Sequence, residues 1–288
     1  MTTGAVRQLL TVSRPVSWIN TAFPFGAAYL MASGRVDVVL VIGVAYFLAP
    51  YNLALYGIND VFDSASDLLN PRKGGAEGAQ PTPELHRALM WTIAASNIPF
   101  LVLLFTLGTP AARAWLAVSM VAVVAYSVPG LRLKERPVID SLTSSTHFVG
   151  PALVGLSLAG AAPSAGWVLT LVAFFLWGAA AHAFGAVQDV LPDRAGGISS
   201  IATALGARST VRLAVVVWIT AGCVMLWAPW PGPWAAALVL PYIAIALPWW
   251  SVTDDRSPAA NRSWRRFLIL NYVVGFLATL LLIAAWRG

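Results

Sequence analysis

Charged side chains are scarce in this sequence. Only 10% of its 288 residues are Asp, Glu, Lys or Arg, and 58% are hydrophobic, whereas about a quarter of the residues in a soluble domain are charged. This shortage excludes an ordinary soluble globular protein and indicates an integral membrane protein. Because the single Cys223 lies inside an apolar run, a disulfide framework and a thiolate metal site are also excluded.

A continuous basic stripe is missing too, although the formal net charge is +6. The lysines and arginines are scattered between apolar segments, whereas a nucleic-acid-binding surface needs them clustered. No nucleic-acid partner is therefore expected. Since the sequence also lacks internal repeats and long linkers, we expect residues 1–288 to form a single transmembrane domain.

Apolar runs of membrane-spanning length recur along the chain and predict an all-α fold. They lie near residues 16–33, 38–60, 88–108, 112–129, 140–160, 166–187, 211–229, 233–251 and 267–286. With a cytoplasmic N-terminus, these nine helices put fifteen of the 18 lysines and arginines inside and leave Arg35, Arg113 and Arg287 outside. This split follows the positive-inside rule. We therefore expect a multi-pass protein of the plasma membrane whose C-terminus lies outside.

Acidic residues gather in two short stretches, each of which follows a long apolar run. The first stretch contains Asn59, Asp60, Asp63 and Asp67. On a helix that turns by about 100° per residue, these four side chains share roughly a third of the circumference. The second stretch contains Asp189 and Asp193. Carboxylates crowded at a membrane helix end repel one another and are costly to desolvate, so the arrangement predicts a bound cation.

Basic residues lie in the predicted inner loops near both acidic stretches. They are Arg72, Lys73, Arg132, Lys134 and Arg194. Carboxylates and basic side chains on one membrane face are brought together by a metal-bound polyanion, and Mg²⁺ with a diphosphate fits this requirement. Mg²⁺ prefers oxygen ligands and is usually shared between a few carboxylates and phosphate oxygens. Lysine and arginine neutralise the remaining phosphate charge.

The two acidic motifs resemble those of a known family. Asn-Asp-x-x-Asp-x-x-x-Asp at residues 59–67 and Asp-x-x-x-Asp at residues 189–193 are similar to the paired motifs of the UbiA superfamily of intramembrane prenyltransferases. Arg14-Pro15 and the loop at residues 126–134 match as well. The resemblance implies a nine-helix UbiA-type bundle with a cytoplasmic-side cavity, where an isoprenoid passes from a diphosphate donor to an apolar acceptor.

The resemblance also implies roles for the residues named above. The implied catalytic residues are Asn59, Asp63, Asp189 and Asp193. The implied Mg²⁺ ligands are Asn59, Asp60, Asp63, Asp67, Asp189 and Asp193. The implied diphosphate-binding residues are Arg72, Lys73, Arg132, Lys134 and Arg194.

Four strings narrow the resemblance to one group within the superfamily, the lycopene elongases of actinobacterial fifty-carbon carotenoid pathways. They lie at residues 13–21, 56–63, 70–75 and 140–148. This likeness implies dimethylallyl diphosphate (DMAPP) as the donor and lycopene as the acceptor, with release of diphosphate. A downstream carotenoid cyclase is then an expected partner.

Other functions stay open at this point. Within the family, the acceptor is alternatively a quinone precursor or a chlorophyllide. From other classes, a secondary transporter also has intramembrane carboxylates, although near the midplane and with internal repeats, and a non-catalytic carotenoid-binding protein needs the apolar helices without the acidic motifs. Metal-dependent release of diphosphate separates a prenyltransferase from the two other classes. Pigment mass analysis after expression in a lycopene-producing host separates the acceptors.

A few polar and aromatic residues have two readings each. His147 and His182 accept the final proton or are hydrogen-bonded interior histidines. Tyr126, Trp177 and Phe184 stabilise a carbocation or are packing residues. Asp140 is expected to pair with Arg132 or Arg136, and Asn97 and Asn271 are expected to form hydrogen bonds between helices.

Overall fold

The computed structural model describes residues 3–67 and 81–287, with side chains for residues 8–64 and 81–286. Within that part of the chain the regular elements are all helices, so the predicted all-α fold is confirmed. The chain divides into two compact units. Unit 1 comprises Met1–Leu133 and Thr146–Ala161, and unit 2 comprises Lys134–Ser145 and Ala162–Gly288. That residues 1–288 act as one domain stays a prediction.

Unit 1 contains six complete helices and the greater part of a seventh. Their bounds are α1 Thr3–Ser13, α2 Ile19–Ser33, α3 Val38–Leu48, α4 Pro50–Asp67, α5 Pro83–Leu107, α6 Pro110–Ser127 and α7 Ile139–Leu158. A single 3₁₀ turn lies at Pro15–Ser17, and a second one, Leu133–Glu135, begins at the last residue of the segment Met1–Leu133. Helix α4 carries the first acidic motif.

Unit 2 contains the start of α7 and the seven helices that follow. Their bounds are α8 Ala165–Ala186, α9 Val190–Ala195, α10 Ile201–Leu205, α11 Ala207–Leu226, α12 Gly232–Ala235, α13 Leu240–Ala246 and α14 Asn261–Arg287. Short 3₁₀ segments lie at Val187–Asp189, Ala236–Val239, Leu247–Trp249 and Asp254–Ala260. The second acidic motif falls where α8 gives way to α9.

Seven helical segments of the described chain are long and apolar enough to cross a membrane, which agrees with a multi-pass membrane protein. Their bounds are Val38–Ser64, Pro83–Leu107, Pro110–Ser127, Ala165–Ala195, Ala207–Leu226, Gly232–Trp249 and Asp254–Trp286. The predicted count of nine is not confirmed. Helix α2 has 15 residues, or about 22 Å at 1.5 Å per residue, and α7 begins with a polar stretch.

The predicted span at residues 38–60 is interrupted by a break between α3 and α4. Helix α3 ends at Leu48 because Pro50 has no N–H to donate and its ring crowds the preceding turn. The Nδ2 of Asn52 donates to the carbonyls of Phe47 (2.8 Å) and Leu48 (3.1 Å), two acceptors that a helix end leaves open. Asn97 on α5 donates from Nδ2 to the Pro50 carbonyl at 2.9 Å, which confirms its predicted interhelical hydrogen bond.

The other end of α3 is capped by Asp37. Its Oδ1 accepts hydrogen bonds from the backbone N–H groups of Val39 and Leu40, both at 3.0 Å, as expected of a helix N-cap. Its Oδ2 accepts from the Tyr29 hydroxyl at 2.8 Å. The Leu40 N–H and the Tyr29 hydroxyl are the main groups that hold the pKa of Asp37 below its usual value.

Aromatic rings form the core of unit 1. Phe25, Tyr46, Phe47 and Tyr51 are fully buried, and the Phe47 ring lies 5.2 Å from Phe25, 4.9 Å from Tyr46 and 5.1 Å from Tyr51. Gly43 allows this packing, since a Cβ there would lie 1.9 Å from the Phe25 ring. Close approach at small residues is the usual means of packing helices in a membrane.

Unit 2 has a separate aromatic core built on Trp218. Its ring lies 5.7 Å from Tyr242, and Tyr242 lies 5.1 Å from Phe267. Trp177 packs against the same cluster at 6.0 Å from Phe267, so its packing role is evident. The Tyr242 hydroxyl donates to Asn271 Oδ1 at 3.0 Å and joins α13 to α14, which confirms the predicted role of Asn271.

Candidate active site

The helix that carries the first acidic motif continues through it, as the sequence predicted. Helix α4 runs from Pro50 to Asp67, so Asn59, Asp60 and Asp63 lie within little more than one turn. The side chain of Asp67 lies outside the described part of the structure, as do the whole of Arg72 and Lys73.

Asp60 is paired with an arginine from another part of unit 1. Arg14 Nη2 donates to Asp60 Oδ1 at 2.8 Å, and the carboxylate is fully buried. The same guanidinium lies 4.3 Å from the ring centroid of Tyr56, one turn earlier on α4. Arg14 has a φ of 49°, which turns the chain between α1 and α2. A buried carboxylate needs such a partner because its desolvation is costly.

Asp63 has a different arginine beside it. Arg132, in the loop after α6, has its Nη2 3.6 Å from Asp63 Oδ1. This separation exceeds the roughly 2.7–2.9 Å of a charge-assisted hydrogen bond, so the pair is electrostatic and looser than that of Asp60. The basic loop and the acidic face of α4 therefore lie together, as their charges led us to expect.

Asn59 is oriented by the end of α6. Ser127 Oγ donates to Asn59 Oδ1 at 3.0 Å, and Ser127 is buried. A carbonyl oxygen has two lone pairs, so this contact fixes the amide without using its whole acceptor capacity. The sequence analysis assigned no role to Ser127. It follows Tyr126 in the matched loop, but a serine at a helix end has no distinctive pattern.

The second acidic motif occupies a helix break in unit 2. Helix α8 ends at Ala186, Asp189 closes the 3₁₀ turn Val187–Asp189, and Asp193 lies in α9. Gln188 holds this break, because its Nε2 donates to the Gly185 carbonyl at 2.9 Å and its Oε1 accepts from Asn261 Nδ2 at 2.6 Å.

The expected pairing of Asp140 with a loop arginine is wrong. Asp140 is fully buried, and its Oδ2 accepts a hydrogen bond from the Ile201 backbone N–H at 2.7 Å. Its Oδ1 accepts from the N–H of Ser141, also at 2.7 Å. The first N–H groups of a helix have no partner within it, so Asp140 supplies an acceptor to the start of α10.

His182 lies near both Asp140 and the second motif. Its Nδ1 is 3.0 Å from the hydroxyl of Ser141, and the carboxylates of Asp140 and Asp189 both act on it electrostatically. Asp189 therefore lies near polar groups of its own unit. Ser141 is another residue to which the sequence analysis assigned no role.

Arg194 is engaged within unit 2. Its Nη1 lies 2.6 Å from Asp254 Oδ2, and its Nη2 donates to the Thr203 carbonyl at 3.0 Å. Asp254 also accepts from the Ala207 N–H at 2.7 Å. These contacts join α9 to the start of α11. Diphosphate binding by Arg194 stays a prediction and would require it to leave Asp254. Lys134 lies in the 3₁₀ turn Leu133–Glu135.

The oxygen ligands on α4 suit a magnesium ion whose coordination is completed by phosphate. Among the residues that the structure describes, no group of three or more His, Cys, Asp or Glu side chains lies close enough together to hold a metal ion by itself. Mg²⁺ does not require one, because it is usually bound by one or two carboxylates, water and substrate phosphates. The amide oxygen of Asn59 and the carboxylate of Asp63 are suitable oxygen ligands for such an ion.

Comparison with known proteins identifies the family. The model of the UbiA prenyltransferase family matches residues 21–286. The chain belongs to the UbiA prenyltransferase family. It is 51% identical over 279 residues to a lycopene elongase/hydratase of Corynebacterium glutamicum, covering 97% of both chains. It is equally identical to the C(50) beta-cyclic carotenoids biosynthesis protein LbtBC of Dietzia sp., covering 96% of this chain and 65% of that protein.

Solved structures of UbiA homologues share the fold. The prenyltransferase aligns with a UbiA homolog from Archaeoglobus fulgidus, bound to DMAPP and Mg²⁺, with a TM-score of 0.63 at 18% identity, covering 93% of this chain and 98% of that one. The family resemblance inferred from the motifs is confirmed, as are its assignment as a prenyltransferase and its likeness to lycopene elongases.

Proposed function

We propose that this prenyltransferase transfers a dimethylallyl group from DMAPP to the ends of lycopene and releases diphosphate. The identity of 51% to a lycopene elongase/hydratase over almost the whole chain supports this substrate pair. The observation that carries the chemistry is Arg132 beside Asp63 on α4, because a carboxylate and an arginine at one point suit a metal-bound diphosphate.

The site residues divide into metal ligands and phosphate contacts. Proposed to hold Mg²⁺ are Asn59, Asp63, Asp67, Asp189 and Asp193. Proposed to bind the diphosphate are Arg72, Lys73, Arg132 and Lys134. Arg194 belongs to the predicted diphosphate set, but its ion pair with Asp254 favours a structural task. Asp60 belongs to the predicted metal set, but its contact with Arg14 favours a different main task, which is to fix Arg14 against α4.

The reaction begins with cleavage of the C–O bond to the diphosphate, whose oxygen keeps the electron pair. When bound, Mg²⁺ would neutralise the negative charge that develops on the leaving diphosphate. Arg132 binds phosphate oxygens and adds to the neutralisation. The terminal double bond of the acceptor donates its π electrons to the allylic cation, which forms the new C–C bond and leaves a tertiary cation. That cation then loses a proton or captures water.

Two measurements test the proposal. Expression in a lycopene-producing host is expected to yield pigments heavier by one or two five-carbon units, as detected by mass spectrometry. The purified protein in lipid vesicles is expected to release diphosphate from DMAPP only when both Mg²⁺ and lycopene are present. Unchanged pigment masses would contradict the acceptor, and turnover with a quinone precursor or a chlorophyllide would identify the alternative.

A carotenoid cyclase is a further proposed partner. The Dietzia protein, whose name refers to beta-cyclic carotenoids, has about a third of its length beyond the part that this chain covers. Coexpression with a C50 cyclase, followed by analysis of ring formation, tests this. The plasma membrane location and the inside position of the N-terminus also stay predictions.

A further inference from the structure

A histidine lies among tyrosines in the interior of unit 1. The Nδ1 of His147 on α7 is 3.4 Å from the hydroxyl of Tyr51 on α4. The ring of Tyr126 on α6 meets the imidazole edge to face, with the ring centroids 5.4 Å apart. His147 is 3% exposed and Tyr51 is fully buried. Because tyrosine hydroxyls hold their protons up to a pH of about 10, the imidazole is the group in this cluster suited to accept a proton.

This cluster is linked to the acidic face of α4 by neighbouring residues on α4 and α6. Tyr126 immediately precedes Ser127, the residue that donates to Asn59. Tyr51 precedes Asn59 by eight residues on the same helix, which corresponds to about 12 Å along its axis. A donor whose diphosphate lies at Asn59 and Asp63 extends its short isoprenyl group away from the charges, toward this part of α4.

We propose that His147 is the base that accepts the proton released when the prenylated cation is quenched. The proposal rests on the proposed function. If the cation is deprotonated, a C–H bond next to the cationic carbon breaks, its electrons form a C=C bond, and the proton moves to the imidazole. If water adds instead, its oxygen forms the C–O bond and the imidazole takes one water proton. Either route leaves an imidazolium, which returns its proton after the product has left.

The surroundings distinguish His147 from the other two histidines of the chain. His86, near the start of α5, contacts the Pro81 carbonyl at 3.1 Å. His182 contacts the Ser141 hydroxyl and lies in the field of two carboxylates. Around His147, the faces of tyrosine rings stabilise a positive charge on substrate. The burial of His147 and Tyr51 restricts water, which suits a long-lived cation.

The test compares His147→Gln with His86→Gln, a matched control that removes a histidine outside the cluster. Diphosphate release measures ionisation, and mass spectrometry measures the alkene and the alcohol, which differ by one water. For His147→Gln we expect diphosphate release to change little and prenylated product to fall by roughly 10²-fold or more, with the dimethylallyl group recovered as dimethylallyl alcohol after capture by water. The control His86→Gln is expected to match the original protein in both diphosphate release and product yield. Tyr51→Phe, which removes only the hydroxyl, is expected to change the ratio of alkene to alcohol.

A second variant keeps the result decisive if His147→Gln disturbs folding. In His147→Ala, added imidazole is expected to restore product formation, which a merely structural histidine would not allow. Unchanged product yield and composition in both His147 variants would overturn the proposal. So would an equal loss of release and product that imidazole does not restore. Absence of diphosphate release by the unaltered protein would instead refute the proposed function and is thus a distinguishable failure.

Discussion

The two acidic motifs have the same residue type at similar spacing but different local structures. In unit 1, Asp60 and Asp63 project from a continuous helix, and arginines from other segments of the unit lie beside both. In unit 2, Asp189 lies at a break between helices, and the arginine that follows it is tied to Asp254. The comparison indicates that the first motif has arginines beside its carboxylates, whereas the arginine that follows the second motif forms an ion pair with Asp254.

The largest effect is expected from removing a proposed metal ligand, Asp63. Asp63→Asn should lower turnover by at least about 10²-fold, because the amide is a weaker metal ligand and the leaving diphosphate loses stabilisation. The measurement is DMAPP-dependent diphosphate release in vesicles, with thermal unfolding as the folding control. Asp189→Asn is expected to act in the same way. Full activity in either variant would remove that residue from the metal site.

Asp60→Asn should lower the stability of the protein more than Asp63→Asn does. Removing this carboxylate leaves the Arg14 guanidinium without its buried partner, and breaking such a pair costs roughly 3 kcal/mol. Unfolding in detergent should therefore start at a lower temperature than for Asp63→Asn. The double variant Arg14→Gln/Asp60→Asn should recover part of the loss. Equal stability of the Asp60 and Asp63 variants would break the distinction drawn between the two carboxylates.

An effect of intermediate size is expected from replacing Arg132, with Arg194 as the comparison. Arg132→Gln should raise the KM for DMAPP by about tenfold. This corresponds to roughly 1.4 kcal/mol, close to the lower end of the contribution of a hydrogen bond to a charged group. Arg194→Gln should leave this KM nearly unchanged and lower stability by at most about 1 kcal/mol, since its ion pair is partly exposed. A rise in KM for Arg194→Gln as large as that for Arg132→Gln would support its predicted contact with diphosphate.

The smallest effect is expected far from both motifs, at Asp37. Its pKa is lowered in the folded protein by the Leu40 N–H and the Tyr29 hydroxyl. Its contribution to stability is thus complete above its unfolded pKa of about 3.9 and is lost as the pH falls through the lower folded value. Asp37→Asn should flatten the acid limb of a plot of unfolding temperature against pH. An unchanged acid limb would contradict this role for the carboxylate.

Composition and local spacing predicted a large part of this protein. Low charge and long apolar runs were sufficient for the helical membrane fold, and the spacing of Asn59 and Asp63 was sufficient for a shared helix face. The break at Pro50 was not predicted, because the hydropathy of residues 38–60 is continuous across it. The predicted count of nine spans is not confirmed for a related reason, since a run of apolar residues does not show where a helix begins or ends.

Partners distant in sequence were the harder part of the site. Arg14 was noticed only through its place next to Pro15, although it contacts Asp60, 46 residues later. Asp140 was predicted to pair with nearby arginines because charged residues can be recognised in a sequence. It instead accepts a hydrogen bond from the backbone N–H of Ile201, and no sequence pattern indicates such a contact. A single sequence gives residue types and local periodicity, and tertiary hydrogen bonds follow only once the helices are packed.

The break before α4 sets the register of the first acidic motif. Asn52 is fixed to the end of α3, and Asn59 follows it by seven residues on the same helix. Inserting or deleting one residue between them would rotate the motif by about 100° and shift it by about 1.5 Å. Asp60 and Asp63 would then face away from Arg14 and Arg132. The length of this segment is therefore constrained even where its apolar side chains are interchangeable.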